Sequence, residues 1–270
     1  MIKNVMAAAA VSMLGTMASA TSFTLDFSSA VIPPVFENAG AEIFVDNAAA
    51  GVNVRITSLN SWVQRQGFPN AGAYQASGDL GLSAEEGDTA QVRIEVFDAL
   101  VGSGYDQLYS VNNPNFTWAL TFYDIDSEAP SATNQNFDQF LLRTAGTLFL
   151  DANTALTSTA TGAGLIVSAE NANFNVQTDT GVTSLTLDQQ RYAAVYELSN
   201  TAVMEFDYIV GAVGATNAGR VGLIDGGTLT LDNPVPINVA PVPLPASVLL
   251  LGAGVAGLGL MRRRTARQAA

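Results

Sequence analysis

The sequence contains no cysteine, no histidine and a single lysine, Lys3. Without thiols there is no disulfide framework and no thiolate metal site, and without imidazole the Ser-His-Asp and Cys-His routes to an activated nucleophile are closed. Carboxylates, hydroxyls, tyrosines and a few arginines are left, which keeps open carboxylate mechanisms and the binding of hard cations. Positive charge is also scarce: between residues 21 and 240, Arg55, Arg65, Arg93, Arg143, Arg191 and Arg220 stand against all 24 acidic residues, a net charge of −18. Such a surface repels a phosphate backbone and argues against nucleic acid as a partner, while it favours solubility and divalent cations.

At 270 residues, 48% hydrophobic and 13% charged, the chain is long enough for one medium-sized domain with terminal segments. Long apolar runs occur only at the two ends. The first, MIKNVMAAAAVSMLGTMASA, has Lys3, an apolar stretch from Val5 to Met17 and the small residues Ala18-Ser19-Ala20. This is the pattern of a signal peptide, cut by signal peptidase after Ala20.

The second run, VPLPASVLLLGAGVAGLGLMRRR, spans Val242 to Arg264 and contains a GxGxxG at Gly252, Gly254 and Gly257. A dinucleotide site needs an acidic residue some 20 positions further on, and only 13 residues follow Gly257, none of them acidic. Ala246 to Met261 is instead an uncharged stretch of 16 residues. As a helix it is about 24 Å long, somewhat short of the ~30 Å hydrocarbon layer, so flanking residues or local thinning must cover the difference. Arg262, Arg263, Arg264 and Arg267 place the C-terminus on the cytoplasmic side. The glycines, with Ala253 and Ala256, give this helix a small-residue face for another membrane helix. Pro243 and Pro245 hold the preceding segment extended, as a protease requires of its substrate.

Val242-Pro243-Leu244-Pro245-Ala246, the short Gly/Leu-rich span and the cluster Arg262-Arg263-Arg264 stand in that order at the end of the chain. Together they resemble the VPLPA variant of the PEP-CTERM class of sorting signals. The resemblance covers about 25 residues and none of the domain before them. It implies a Gram-negative bacterial protein exported by the general secretory route, held at the inner membrane by its C-terminal helix and recognised there by an exosortase-type processing enzyme. It further implies a place at the cell surface or in an extracellular matrix connected with exopolysaccharide and biofilm.

Between the two ends the chain reads as many short β segments separated by Gly, Asn, Asp and Ser. Val92, Ile94 and Val96 alternate with Arg93 and Glu95, and Phe206 and Tyr208 with Glu205 and Asp207. Regular alternation with frequent turns predicts an all-β domain, an antiparallel, jelly-roll-like β-sandwich. Ser184–Leu187 and Thr228–Leu231 are among the expected strands, and Thr154–Leu165 reads as either a surface loop or a weak edge strand. The expected organisation is a signal peptide over 1–20, the sandwich over 21–231, a Pro-rich stalk over 232–245, a transmembrane helix over 246–261 and an Arg-rich cytoplasmic tail over 262–270.

Three features of the domain are candidates for chemistry. The strand FTWALTFYDIDSE delivers Asp124, Asp126 and Glu128 at spacings of two, which on an extended chain share a face and suit a structural Ca²⁺, or else serve as solvated turn residues. Glu85, Glu86 and Asp88 form a second, weaker acidic cluster. Trp62, with Phe68, Tyr74 and Arg65 in a loop-like stretch, is either a stacking platform for a sugar ring or a small core beneath that loop. Asp179-Thr180-Gly181 occurs once, whereas an aspartic-protease site needs two such carboxylates. The sequence therefore points to a non-enzymatic structural or carbohydrate-binding surface protein. The alternative is a polysaccharide-processing hydrolase with paired carboxylates, recognisable by a cleft holding two carboxyl groups.

Overall fold

The computed structural model describes residues 21–65, 72–76, 79–127, 135–170, 185–213, 219–227 and 229–241. The expected signal peptide, the VPLPA motif, the 246–261 helix and the arginine tail lie outside these residues. Among the described residues no helix is long and apolar enough to cross a membrane.

The described residues form fifteen strands in two sheets and two helices of a single turn, α1 (Tyr109–Asn112) and α2 (Leu187–Gln190). The first sheet runs in the order β15 (Pro234–Val239), β9 (Gly146–Asp151), β12 (Ala194–Ser199), β7 (Phe116–Tyr123), β14 (Arg220–Asp225), β5 (Asp79–Ala84) and β4 (Ala73–Ala76). The short β1 (Thr21–Phe23) lies parallel to the start of β7, on the same side as β14. The second sheet runs β10 (Thr157–Thr161), β11 (Gly164–Ser168), β8 (Gln135–Leu142), β13 (Val203–Val213), β6 (Thr89–Asp98), β3 (Val52–Ser58) and β2 (Glu42–Ala49). Apart from that of β1, the strand pairings among the described residues are antiparallel, and the chain is an all-β sandwich.

Alternation decides which face of each strand is inside. Val92, Ile94 and Val96 of β6 are fully buried, as are Met204, Phe206, Tyr208 and Val210 of β13. At the centre Phe122 of the first sheet meets Phe140 and Phe206 of the second, with ring centroids 4.5 and 5.3 Å apart. The second sheet carries charged pairs across its strands: Arg55 faces Glu95 and Arg93 faces Glu205 in register, and Arg143, just past the end of β8, reaches diagonally to Asp207. The exposed pair, Arg93–Glu205, adds only a fraction of a kcal/mol. Because a one-residue slip would turn every one of these charges toward the core, however, the pairs help to fix the register.

Two glycines that look like breaks in the sequence are packing requirements. A Cβ on Gly222 of β14 would stand 2.7 Å from the Tyr208 ring and 2.8 Å from the Phe140 ring, and one on Gly211 would overlap the Phe137 ring. Aromatic side chains lie across strand backbone at both places, so only glycine fits.

The expected boundaries need three corrections. Ser184–Leu187 is not a strand where it is described: Thr186 caps α2, and its reciprocal hydrogen bonds with Gln189 form a capping box. Leu229–Leu231 joins no strand, although Leu231 is buried. The Pro-rich stretch from Asp232 is not a free stalk, because Pro234–Val239 pairs with β9 from Asp151 to Gly146 and Val239 is buried. The parity of the prolines permits this. Asn233 accepts from the Ala152 N–H at 2.8 Å, so the odd-numbered residues face β9 and Pro234 and Pro236, which lack an N–H, face outward.

A chain from Thr21 to Pro241 should therefore be more stable in urea than one ending at Asp232, by roughly 2 kcal/mol or more, since the shorter chain uncovers β9 and loses its hydrogen bonds to β15. Equal unfolding midpoints would show that the sandwich does not need this strand.

Candidate functional site

The carboxylates singled out in FTWALTFYDIDSE do not converge on a common point. Asp124 takes a left-handed conformation, φ 59°, which ends the strand and breaks the two-residue alternation. Asp126 turns inward, 1% exposed, and its Oδ1 accepts from the Arg220 guanidinium. Glu128 lies outside the described residues. Arg220 Nε also donates to Asp138 Oδ2 at 2.8 Å, and Tyr208 Oη donates to Asp138 Oδ1 at 2.6 Å. Asp126 is thus committed to a protein cation, and among the described residues no group of three acidic side chains is placed to hold a metal. Burial lowers the Arg220 pKa to about 10, against the raising effect of Asp124, so the guanidinium remains charged at neutral pH.

Glu85 and Asp88 bracket the turn between β5 and β6. Asp88 Oδ2 accepts from the Val63 N–H at 2.8 Å and Gly87 takes φ 81°, so this stretch serves as a turn. Asp179 lies outside the described residues.

Trp62 is not a sugar platform. It is 6% exposed, packs edge-on to Phe36 with centroids 5.8 Å apart, and donates its Nε1–H to the Ser83 carbonyl at 2.9 Å. By folding under its loop, the indole satisfies its N–H and buries its apolar body together. Arg65 lies against Gly219, close enough to Arg220 for the two positive charges to repel. Tyr74 falls in β4, and Phe68 lies outside the described residues.

Two other groupings join residues distant in sequence. The first is a carboxyl pair between Asp79 of β5 and Asp225 of β14. Tyr123 Oη donates to Asp79 Oδ2, and the Asp225 carboxylate stands close enough to Asp79 for each to affect the other's ionisation. Burial, opposed by the Tyr123 bond and reinforced by the charge of Asp225, raises the pKa of Asp79 from 3.8 to about 6. Burial likewise raises that of Asp225. Two carboxyls this close titrate as a pair, and both pKa values lie above the ordinary carboxylate value.

The second is an open cleft of about 390 Å³ lined by Asp151, Asn153, Leu187, Asp188, Arg191 and Asp232, a volume in the usual range for small-molecule sites. Its floor is rigid: Asp151 accepts from the backbone N–H groups of Asn153 and Asn233 at 2.7 and 3.2 Å. Arg191 Nε donates to the Asn153 carbonyl at 2.7 Å, and its Nη groups have no partner among the described residues. The side chains of Asp188 and Asn153 are likewise without partners there. Leu187, 65% exposed, adds an apolar wall. These residues come from β9, α2 and the start of β15, and no motif in the sequence connects them.

No family model matches the sequence, and no curated protein matches it. Among solved structures the sandwich is similar to glucan-binding protein C of Streptococcus mutans, with 9% identity and a TM-score of 0.42 over 73% of this chain and 60% of that one. It is also similar to the adhesin domain of PrgB from Enterococcus faecalis, with 11% identity and a TM-score of 0.35 over 74% and 59% of the two chains. This chain thus spans about 60% of the length of either structure. Overlaps of this extent carry neither ligand nor activity from one protein to another.

The carboxyl pair makes stability depend on pH in a definite direction. At low pH the folded and unfolded chains both hold the proton, and the stability from the pair is fully present. As pH rises from about 4 to about 6 the unfolded chain releases it first and that stability is lost, with no further change above. Asn at position 79 can accept from Tyr123 without ionising. Asp79→Asn should match the wild type near pH 4 and exceed it by roughly 1–3 kcal/mol at pH 7.5 in urea unfolding. A constant difference at both pH values would mean that Asp79 is already ionised in the folded chain.

Proposed function

We propose that the chain is an exported, non-enzymatic protein of the cell surface or extracellular matrix, and that it holds a polysaccharide in the cleft around Arg191. The observation that carries this reading is the state of the polar groups in that cleft. Arg55, Arg93, Arg143 and Arg220 are all bound to carboxylates, whereas the Nη donors of Arg191, the Asn153 amide and the Asp188 carboxylate are unengaged beside an exposed leucine. A pyranose ring offers the complement: hydroxyls that both donate and accept, and an apolar C–H face. The alternative, a hydrolase with paired carboxylates, has less to support it. Asp79 is buried, 5% exposed, and accepts from Tyr123, so with Asp225 it does not flank an open cleft in which a glycosidic bond could lie.

Export and sorting rest on the terminal segments. β15 ends at Val239, three residues before Val242-Pro243-Leu244-Pro245-Ala246. That boundary supports a domain that ends just before the segment an exosortase-type enzyme would cut, while the signal peptide rests on the sequence of residues 1–20.

Retention on the exopolysaccharide of the producing cell tests the binding. Arg191→Ala and Asp188→Ala should each weaken it about tenfold and shift stability by no more than about 0.5 kcal/mol, since both side chains are exposed. Variants that bind like the wild type would clear the cleft of this role, and a wild type that is not retained would leave a purely structural protein. The sorting signal has a separate test. Replacing Pro243 and Pro245 with Ala should let the membrane helix extend through the segment, so that uncut chain accumulates in the membrane. Neutralising Arg262, Arg263 and Arg264 should instead release uncut chain outside the cell. Mass spectrometry of the termini reads both, and normal processing of both variants would remove the sorting-signal reading.

A further inference from the structure

Four strands form the sheet edges among the described residues: β15 and β4 in the first sheet, β10 and β2 in the second. An edge presents a row of unpaired backbone groups that another strand can join unless something blocks it. On β2 the outward carbonyls of Phe44, Asp46 and Ala48 accept from Val31 N, Ser29 Oγ and Asp26 N at 3.0, 2.8 and 2.7 Å. The same strand is irregular between Val45 and Ala49. On β15 the outward positions hold Pro234 and Pro236, and β4 is four residues long.

Among the described residues none of these devices protects β10. Its five residues, Thr157-Ser158-Thr159-Ala160-Thr161, are all exposed and include no proline and no charge. The orientation of its backbone follows from its neighbours. Ala169 N donates to the Asp138 carbonyl at 3.1 Å, which turns the odd-numbered residues of β11 toward β8 and the even-numbered ones toward β10. The register then sets Thr157, Thr159 and Thr161 against β11 and leaves the N–H and C=O groups of Ser158 and Ala160 pointing away from the sheet.

We propose that β10 pairs antiparallel with β10 of a second copy of this chain, about a twofold axis through Thr159, so that the two seven-stranded sheets continue into one. In that register Ser158 of one copy faces Ala160 of the other, and these are the residues with outward donors and acceptors. Thr159 faces Thr159 and Thr157 faces Thr161, placing threonines opposite one another along one face, a favourable cross-strand pairing. A twofold interface needs a self-complementary patch, and threonine at every second position makes this strand read alike in both directions. Charge selects the same place. No charged residue occurs between Asp151 and Glu170, in a region from 21 to 240 whose net charge is −18, so the strand itself brings no like charges together when two copies meet.

The absence of cysteine makes the test direct. Facing residues at a non-hydrogen-bonded antiparallel position have Cα atoms about 4.5 Å apart, within disulfide range. The full chain carrying Thr159→Cys, oxidised with copper phenanthroline, should give a disulfide-linked dimer on a non-reducing gel, while Ser103→Cys in an exposed loop should remain monomeric. Adding Ser158→Pro and Ala160→Pro removes only outward N–H groups and leaves the pairing with β11 intact, so the circular dichroism spectrum should be unchanged and the cross-link lost. The proposal is overturned if the Thr159→Cys chain links no faster than the Ser103→Cys chain, if the prolines leave the cross-link in place, or if the thiol at position 159 joins a different protein instead of its own copy.

Discussion

The guanidinium of Arg220 lies between the two sheets, and the sandwich is built around the need to neutralise it. The side chain starts from β14 in the first sheet, reaches Asp138 on β8 in the second, and meets Asp126 just after β7. Tyr208 on β13 closes the far side of Asp138. A buried charge is tolerable only where its partners are held in place, and loss of one partner from such a group typically costs about 3–5 kcal/mol. Four elements must therefore be correctly placed together. Non-directional contacts such as that between Phe122 and Phe140 supply the apolar stabilisation, and the ionic cluster adds a direction that those contacts lack. The left-handed turn at Asp124 follows from it, since the chain must leave β7 and turn Asp126 inward within two residues.

This explains why the acidic motif misled. A strand with Asp at alternate positions looks the same in sequence whether the carboxylates face a cation from solvent or a guanidinium from another strand, and Arg220 lies 94 residues away from Asp126. Trp62 posed the same difficulty, because only the fold brings the Ser83 carbonyl to its indole N–H. The cleft around Arg191 was invisible for a further reason. It is assembled from three separate segments, and its distinguishing property is the lack of partners, which can be known only once the partners of the other arginines are known.

Strands with clear apolar alternation were legible: β6 carries Val92, Ile94 and Val96, β13 carries Phe206 and Tyr208, and β7 is the first part of FTWALTFYDIDSE. The strands that escaped had specific reasons. β5 alternates Leu80, Leu82 and Ala84 with Asp79, Gly81 and Ser83 over only six residues with a glycine among them, and β14 carries Gly222, a break signal in sequence that in three dimensions lies beneath two aromatic rings. β15 was hidden by its prolines, whose common parity matters more than their number. Thr154–Leu165 admitted both a loop and an edge strand, and β10 is the edge strand.

The distribution of arginine also limits what the cleft can hold, under the function proposed for it. Three arginines neutralise acids on the outer face of the second sheet and one is committed to the interior, so little positive charge is left to offset the acids elsewhere. Within the cleft a single guanidinium stands among Asp151, Asp188 and Asp232. A uronate or sulfate group brought there would meet more repulsion than attraction, at a separation too short for salt to screen fully. A neutral or amino sugar meets no such barrier, since carboxylates accept from hydroxyl and ammonium groups alike while Arg191 and Asn153 donate. Under that proposed function, the acids that line the cleft narrow the glycans it can hold to those without negative charge.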